Sequence, residues 1–195
     1  MERTVIRHLD KAPLFPLTRS ALTAFLISNS THTSRMDEPH IEQATLEDLP
    51  QLTDLLFDLF SQEADFTPNR AKQMRGLRLL LEQPNRGRIF VLRQNGNILG
   101  MINLLFTIST AEGGFVILLE DVIVHGECRG RGFGDKLLSH AIEYARKKEF
   151  CRITLLTDRL NDDGQRFFRS HGFVESKMIP MRLILDMHET VPHGS

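Results

Sequence analysis

Residues 120–134 read EDVIVHGECRGRGFG, and this stretch decides the fold. An apolar segment typical of a strand ends at Val124, three alternating glycines follow, and an amphipathic helix is predicted to begin near Phe133. Backbone amides without bulky side chains can converge on an anion at a helix N-terminus, where the helix dipole is also favourable. The stretch therefore predicts a strand–loop–helix unit whose loop binds phosphate.

Apolar periodicity predicts the elements on both sides of this unit. A short strand at 41–44 and two helices are expected first, followed by an antiparallel meander of three strands with a tight turn at Asn95-Gly96. After the loop and its helix, we expect a short strand at 153–157, a helix at 161–171 and a closing strand at 181–185. The fold class is thus α+β, or mixed α/β, with a central sheet and two helices before and two after its meander.

Composition narrows the classes of function. The 195 residues carry a formal net charge of -1, so no basic field suggests nucleic acid. No apolar run approaches the roughly 20 residues that span a bilayer, and we expect no membrane partner. Cys128 and Cys151 form no C-x-x-C pair, so we expect neither a metal site nor a disulfide framework. A reducing cytoplasm is the default location.

The chain is expected to hold one domain, at residues 39–187, followed by a tail at 188–195. Residues 1–38 lack periodicity and are expected to form an extension and linker. A signal peptide is not expected, because Asp10 dilutes the positive start that such a segment needs. Met36 could even be the start of the functional unit, since organised sequence begins soon after it.

Two minor alternatives are open for the loop. Arg129 and Arg131 can add charge-assisted hydrogen bonds to phosphate oxygens. The dinucleotide motif fails because Asp135 stands where its last glycine belongs, and the Walker motif fails because no Gly-Lys-Ser/Thr follows. A protein that binds nucleotide phosphate is therefore a minor alternative, and a purely structural turn is another.

The loop sequence R-G-x-G-x-G after a V-x-V strand end resembles the acetyl-CoA loop of the GNAT superfamily of N-acetyltransferases. Downstream, Phe167 to Phe173 (FFRSHGF) is similar to the F-Y-x-x-x-G-F segment of that family. The resemblance covers residues 41–185. It implies a mostly antiparallel twisted sheet flanked by about four helices. It also implies transfer of an acetyl group from acetyl-CoA to a primary amine, by direct attack in a ternary complex.

The resemblance also implies which residues bind acetyl-CoA. The pyrophosphate would be held by the loop and the pantetheine arm by the strand end, with two further contacts from the following helix. These residues are Arg129, Gly130, Arg131, Gly132, Phe133 and Gly134; Val122, Ile123 and Val124; and Asn161 and Phe168. Asn161 has an equally good alternative as an ordinary helix N-cap.

Glu120 and Asp121 are the candidates for the general base that deprotonates the acceptor amine. Family members with a similar L-E-D-x-x-V stretch use the glutamate, so Glu120 is the first candidate and Asp121 the second. Because side chains alternate along a strand, we expect the two carboxylates on opposite faces. The alternative is that one of them caps the sheet rim or pairs with an arginine.

The sequence departs from the family at Phe168, which stands where the tyrosine general acid is usual. The only tyrosine, Tyr144, lies in the middle of a predicted helix. We therefore expect water or another donor to protonate the departing thiolate. The alternative is a catalytically weak module that binds acyl-CoA. His125 and His171 are considered as acids, and neither is expected to act as one.

The acceptor stays open between a small molecule and a peptide amine. The first two helices shape the acceptor pocket in this family, but here their apolar stripes indicate only core faces. The charges between them, such as Asp58, Glu63 and Asp65, indicate a solvated face. A homodimer is also left open, because dimers are common among proteins that resemble this one.

Overall fold

The computed structural model describes residues 37–61 and 67–185. Its strands are β1 (His40–Gln43), β2 (Gly87–Gln94), β3 (Asn97–Ser109), β4 (Gly114–Val124) and β5 (Ile153–Leu155). Its helices are α1 (Leu49–Phe60), α2 (Arg70–Leu81), α3 (Phe133–Lys147) and α4 (Asp162–Ser170). The extension, the C-terminal tail, Glu63 and Asp65 lie outside the described residues, so those expectations stay predictions.

The five strands form one sheet in the order β1-β2-β3-β4-β5. The first four are antiparallel neighbours, and β5 pairs with β4 in parallel. The turn between β2 and β3 places Asn95 at φ 50° and Gly96 at φ 79°, as a tight hairpin of this kind requires. The predicted fold class, a mostly antiparallel sheet with four helices, is confirmed.

Local capping residues set the starts of the first two helices. Ahead of α1, the main-chain N–H of Thr45 donates to Asp48 Oδ2 at 2.8 Å, across a 3₁₀ turn at Leu46–Asp48. Ahead of α2, Asn69 Oδ1 accepts from the N–H of Lys72 at 3.0 Å. No helix within residues 37–61 and 67–185 is long and apolar enough to cross a membrane.

Two apolar cores lie on opposite faces of the sheet. On one face, side chains of β2, β3 and β4 pack against α3; the fully buried members are Leu92, Ile102, Leu104, Ile117, Leu137, Leu138 and Ala141. On the other face, the same strands pack against α1 and α2; the members include Leu52, Leu55, Leu77, Ile89, Val91, Met101 and Ile123. We call these the α3 face and the α1/α2 face. Burial on both faces holds the sheet between its helices.

The predicted closing strand at 181–185 is wrong. These residues have no strand structure, and Met181, Leu183, Ile184 and Leu185 are between 74% and 89% exposed. The prediction followed apolar composition, but a strand exists only where a neighbouring strand accepts its hydrogen bonds. Within the described residues, β5 is the last strand of the sheet and pairs only with β4.

Candidate active site

The loop after β4 is exposed at Gly130 and Gly132. A 3₁₀ turn at Gly126–Cys128 leads into Gly130 and Gly132, whose φ angles of 73° and 75° lie in the left-handed region. A Cβ atom at either glycine would meet nothing within 4 Å, so glycine is required here by backbone conformation and not by crowding. Because α3 begins at Phe133, the loop amides and the helix N-terminus present one surface that suits an anion.

Two arginines accompany this loop. Arg129 Nε donates to the carbonyl of Val124 at 3.2 Å, which ties the loop to the end of β4. The guanidinium of Arg131 lies 4.8 Å from the centre of the Phe133 ring, a cation–π contact that holds it over the first turn of α3. Positive charge therefore lies on both sides of the glycines.

Beyond Leu119, β4 separates from its parallel neighbour. β5 pairs with β4 only from Ile117 to Leu119, and β5 ends at Leu155. Residues 121–124 pair with β3 on one side, and no described strand accompanies them on the other. The end of the parallel pairing leaves main-chain groups of β4 available to an amide-containing ligand.

A β-bulge lies at Glu120. Asn103 of β3 is opposite Asp121, and Leu104 is opposite Leu119, so Glu120 is one residue more than the ladder needs. Leu119 packs on the α3 face, whereas Asp121 bonds Asn103 on the α1/α2 face. The regular alternation of side chains along β4 is therefore interrupted between Leu119 and Asp121. Glu120 is exposed and Asp121 is buried.

Asp121 has a partner that sequence reasoning missed. Asn103 Nδ2 donates to Asp121 Oδ2 at 2.9 Å, and both side chains are buried, at 7% and 8% exposure. Asn103 lies between fully buried Ile102 and Leu104, within a stretch of β3 from residue 98 to residue 106 that has no other polar side chain. A lone amide in such a strand is the sequence signal that could have found it.

A cleft of about 270 Å³ opens beside these groups. Its walls come from the last two turns of α1, from the end of β4 and from the loop. The lining residues are Leu55, Asp58, Ser61, Ile123, Val124, His125, Gly126 and Arg129. Asp58, predicted as part of a solvated face, thus lies at a cleft next to the glycine-rich loop.

Comparison with known proteins identifies the family. Residues 49–173 match the acetyltransferase (GNAT) family. The chain belongs to this family. It is 27% identical over 120 residues to the uncharacterized N-acetyltransferase YhfO of Bacillus subtilis (strain 168), covering 60% of this chain and 80% of that protein. It is 26% identical over 140 residues to the uncharacterized N-acetyltransferase MJ1207 of Methanocaldococcus jannaschii, covering 71% and 62%.

The fold is also shared with solved structures. One is an aminoglycoside acetyltransferase, meta-AAC0020, from an uncultured soil metagenomic sample, solved in complex with sisomicin. It aligns with a TM-score of 0.62 and 22% identity over 76% of this chain and 97% of that one, which shows a common fold. The chain is a GNAT-type acetyltransferase, and a binding module without turnover is not favoured.

Two implied contacts of this acetyltransferase lie on α4. Asn161 caps the helix, because its Oδ1 accepts from the N–H of Gly164 at 2.9 Å; only its Nδ2 is then available to a ligand. Phe168 is half-buried, with ring centres 5.2 Å from Phe167 and 5.8 Å from Phe173. Asn161 can therefore cap α4 and contact a ligand at the same time.

Tyr144 and His171, the other side chains considered as acids, both make contacts that support the fold. Tyr144 packs among aromatic rings of the α3 face, 5.1 Å from Phe90 and 6.2 Å from Phe106. His171 Nε2 lies 3.5 Å from Asp135, which links the end of α4 to the first turn of α3. Within residues 37–61 and 67–185, no group of three or more His, Cys, Asp or Glu side chains could hold a metal ion.

Proposed function

We propose that this acetyltransferase transfers an acetyl group from acetyl-CoA to a primary amine of a small-molecule acceptor, by direct attack in a ternary complex. One observation carries the proposal. Gly130 and Gly132 leave open space over the amides at the start of α3, immediately beside the stretch of β4 that has separated from β5. An anion followed by an amide-containing arm matches both halves of this surface. Acetyl-CoA has that chemistry, and members of the family generally use it.

The residues present fit the coenzyme. The amides from Arg129 to Gly134 would hold the pyrophosphate, and the main chain of Val122, Ile123 and Val124 would bond the pantetheine arm. Asn161 Nδ2 and the ring of Phe168 would contact the arm from α4. When bound, acetyl-CoA supplies a thioester carbonyl as the electrophile and a thiolate as the leaving group.

Glu120 is proposed as the general base. An acceptor amine is cationic at neutral pH and must lose a proton before attack, directly or through water. The bulge places Glu120 outside the regular ladder, exposed, at the point where β4 leaves β5. Asp121 is the second candidate, but its buried carboxylate already accepts from Asn103.

Water is proposed as the proton donor to the departing thiolate. Phe168 has no hydroxyl, and Tyr144 is packed among the rings of the α3 face. A thiolate is a fair leaving group without an acid, so turnover does not require a side-chain donor. We also propose that the protein acts in the cytoplasm, because Cys128 and Cys151 are free thiols and a reducing compartment keeps thiols free.

Calorimetric titration with acetyl-CoA tests the proposal. We expect the wild type to bind and Gly132→Glu not to bind, because the new carboxylate enters the space that the phosphate needs. Gly113→Glu is the matched control, since it makes the same change at a turn glycine with φ 68°, where a Cβ also meets nothing. A wild type that fails to bind at high micromolar acetyl-CoA contradicts the proposal.

Turnover is then measured by thiol release with a panel of amines. We expect Glu120→Gln to lower kcat by about 10²-fold or more while the Kd for acetyl-CoA stays unchanged. Asp121→Asn is the comparison variant. If Asp121→Asn loses the activity and Glu120→Gln keeps it, the roles of the two carboxylates are exchanged.

A further inference from the structure

In the described part of the chain, the polar residues with the least exposure lie on one face of the sheet. Within the described residues, those that are more than nine-tenths buried are Asp48, Thr53, Gln73, Asn103 and Asp121. The first three belong to the segment before α1, to α1 and to α2, and the last two lie on the strand surface beneath these helices. We call these five the buried polar set. The α3 face contributes none of them.

Three members of the set have nearby partners. Thr53 Oγ1 donates to the carbonyl of Leu49 at 2.6 Å. Asp48 accepts from Thr45 and from Arg93. The bonds from Thr53 and from Thr45 lie within the turns at the start of α1, and the bond from Arg93 comes from β2. Gln73, with its amide oxygen and nitrogen exchanged, bonds the main chain of Asn69 at 3.3 and 3.2 Å. These three polar groups are therefore explained by the fold.

Asn103 is different. Its Nδ2 is committed to Asp121, but its Oδ1 is buried and has no hydrogen-bond partner within the described structure. A buried carbonyl oxygen without a donor costs free energy, so native proteins rarely leave one unpaired. A group that brings an N–H or O–H to this oxygen would remove that cost.

The position of Asn103 indicates which group this is. Asn103 is paired with Asp121, and the next pair on the same face is Met101 with Ile123. Ile123 lines the cleft, so the Asn103–Asp121 pair lies one repeat of the strand, about 7 Å, from the cleft wall. Glu120, the proposed base, is the neighbour of Asp121 in the bulge.

We propose that Asn103 is a specificity-determining residue whose Oδ1 accepts an N–H from the acceptor, and that the acceptor is an aliphatic amine without an anionic group. The inference rests on the proposed function. Asn103 Oδ1 and the Asp121 carboxylate offer only acceptor atoms, which an ammonium or amine satisfies and a carboxylate or phosphate does not. Leu55 and Ile123 supply apolar contact for the hydrocarbon part, and Asp58 adds a carboxylate to the cleft wall. Arg129 also lines the cleft, but its Nε is bonded to the carbonyl of Val124 and its charge is assigned to the coenzyme phosphate.

Two probes of equal length test the acceptor class. The first is 1,4-diaminobutane, and the second is 4-aminobutanoate, which carries the same primary amine but ends in a carboxylate. We expect kcat/KM to be about tenfold or more higher for the diamine. A wild type that prefers 4-aminobutanoate overturns the inference about the acceptor.

Asn103→Leu tests the residue. We expect its KM for 1,4-diaminobutane to rise about tenfold or more, with kcat changed by less than about threefold and acetyl-CoA affinity unchanged. Thr53→Val is the matched control, because it removes a buried polar group from the same side that already has a local partner; its KM should stay at the wild-type value. Asn103→Ser, which is smaller and withdraws the oxygen, should raise KM in the same way if Asn103→Leu does not fold.

The outcomes separate the two claims. If the wild type does not bind acetyl-CoA, the proposed function fails. If it binds and turns over the diamine, and both Asn103 variants keep the wild-type KM, the proposed function stands and the inference about Asn103 is overturned. A buried water would then be the partner of the amide oxygen.

Discussion

The two faces of the sheet differ in chemistry although the same strands build both. The core of the α3 face is built from apolar side chains, with an aromatic group around Tyr144 and with His140 against Phe90, and it supports the helix whose N-terminus faces the loop. The α1/α2 face has an apolar core of similar extent but also holds the whole buried polar set. The α3 face thus serves to hold the loop in place. On the proposal made for Asn103, the α1/α2 face combines support with recognition of the acceptor. Three predictions test this difference.

The largest effect is expected where the faces are alike. Leu137→Ala on the α3 face and Leu52→Ala on the α1/α2 face each remove a side chain with no exposure. Each should lower the free energy of unfolding by about 2–5 kcal/mol, because both leave a cavity that the neighbours fill only in part. Urea denaturation measures this. Leu79→Ala, on the exposed side of α2, is the control and should change stability by less than about 0.5 kcal/mol. If one buried variant behaves like the control, that face is not a core.

An intermediate effect is expected from the polar contacts that only the α1/α2 side has. Arg93 Nη2 donates to the buried Asp48 at 2.7 Å, and Arg93 Nε bonds Glu42. Arg93→Met should cost about 1–3 kcal/mol in urea denaturation, since Asp48 loses its charged partner. The control is Arg78→Met, whose exposed pair with Glu82 at 3.7 Å should contribute less than about 0.5 kcal/mol.

The pH dependence of the Arg93 contribution follows from its sign. The hydrogen bond to Asp48 raises the pKa of Arg93 above its ordinary value. A raised folded-state pKa adds stability below the ordinary value and loses it only above the raised one. The cost of Arg93→Met should therefore be the same at pH 7 and pH 9. An equal stability of Arg93→Met and wild type would show that this polar contact does not stabilise the fold.

The smallest effect is expected at His140, which contacts Phe90 on the α3 face with ring centres 4.6 Å apart. Burial lowers the pKa of His140 below its ordinary 6.5, opposed by the carboxylate of Glu143. Its neutral form then adds stability above pH 6.5 that is lost as pH falls through the lowered pKa. His140→Gln should reduce the loss of stability between pH 7.5 and pH 5 by less than about 1 kcal/mol, because the ring keeps part of its water contact. An unchanged slope would assign that loss to other groups.

Local sequence signals predicted most of the fold. The meander followed from apolar strands and the Asn95-Gly96 turn, and the loop from glycines at a strand–helix junction; both depend on residues near one another in the chain. The capping alternative for Asn161 was equally local. The failed strand at 181–185 was not local, because composition does not reveal whether a partner strand is available.

The candidate site was predicted only in part for the same reason. The bulge at Glu120 depends on the register in which β3 and β4 pair. A glutamate within a strand does not by itself indicate a bulge, as a glycine could. The lone amide of Asn103 is visible in the sequence, but its partner Asp121 lies 18 positions later in the chain, and only the tertiary structure brings the two together. Asp58 was interpreted from its own helix, whereas its place at the cleft depends on β4. The loop could be found by motif, but the groups that face the acceptor required the tertiary pairing.

The extra residue in β4 has a consequence for how such a protein can evolve. Removing the single codon for Glu120 would leave Leu119 opposite Leu104 and Asp121 opposite Asn103, so every remaining pair of the ladder would persist. Both cores would keep their side chains on the same sides as before. A lineage could thus lose its proposed base in one small deletion while retaining a chain that folds, and a coenzyme-binding relative without turnover would be one mutational event away.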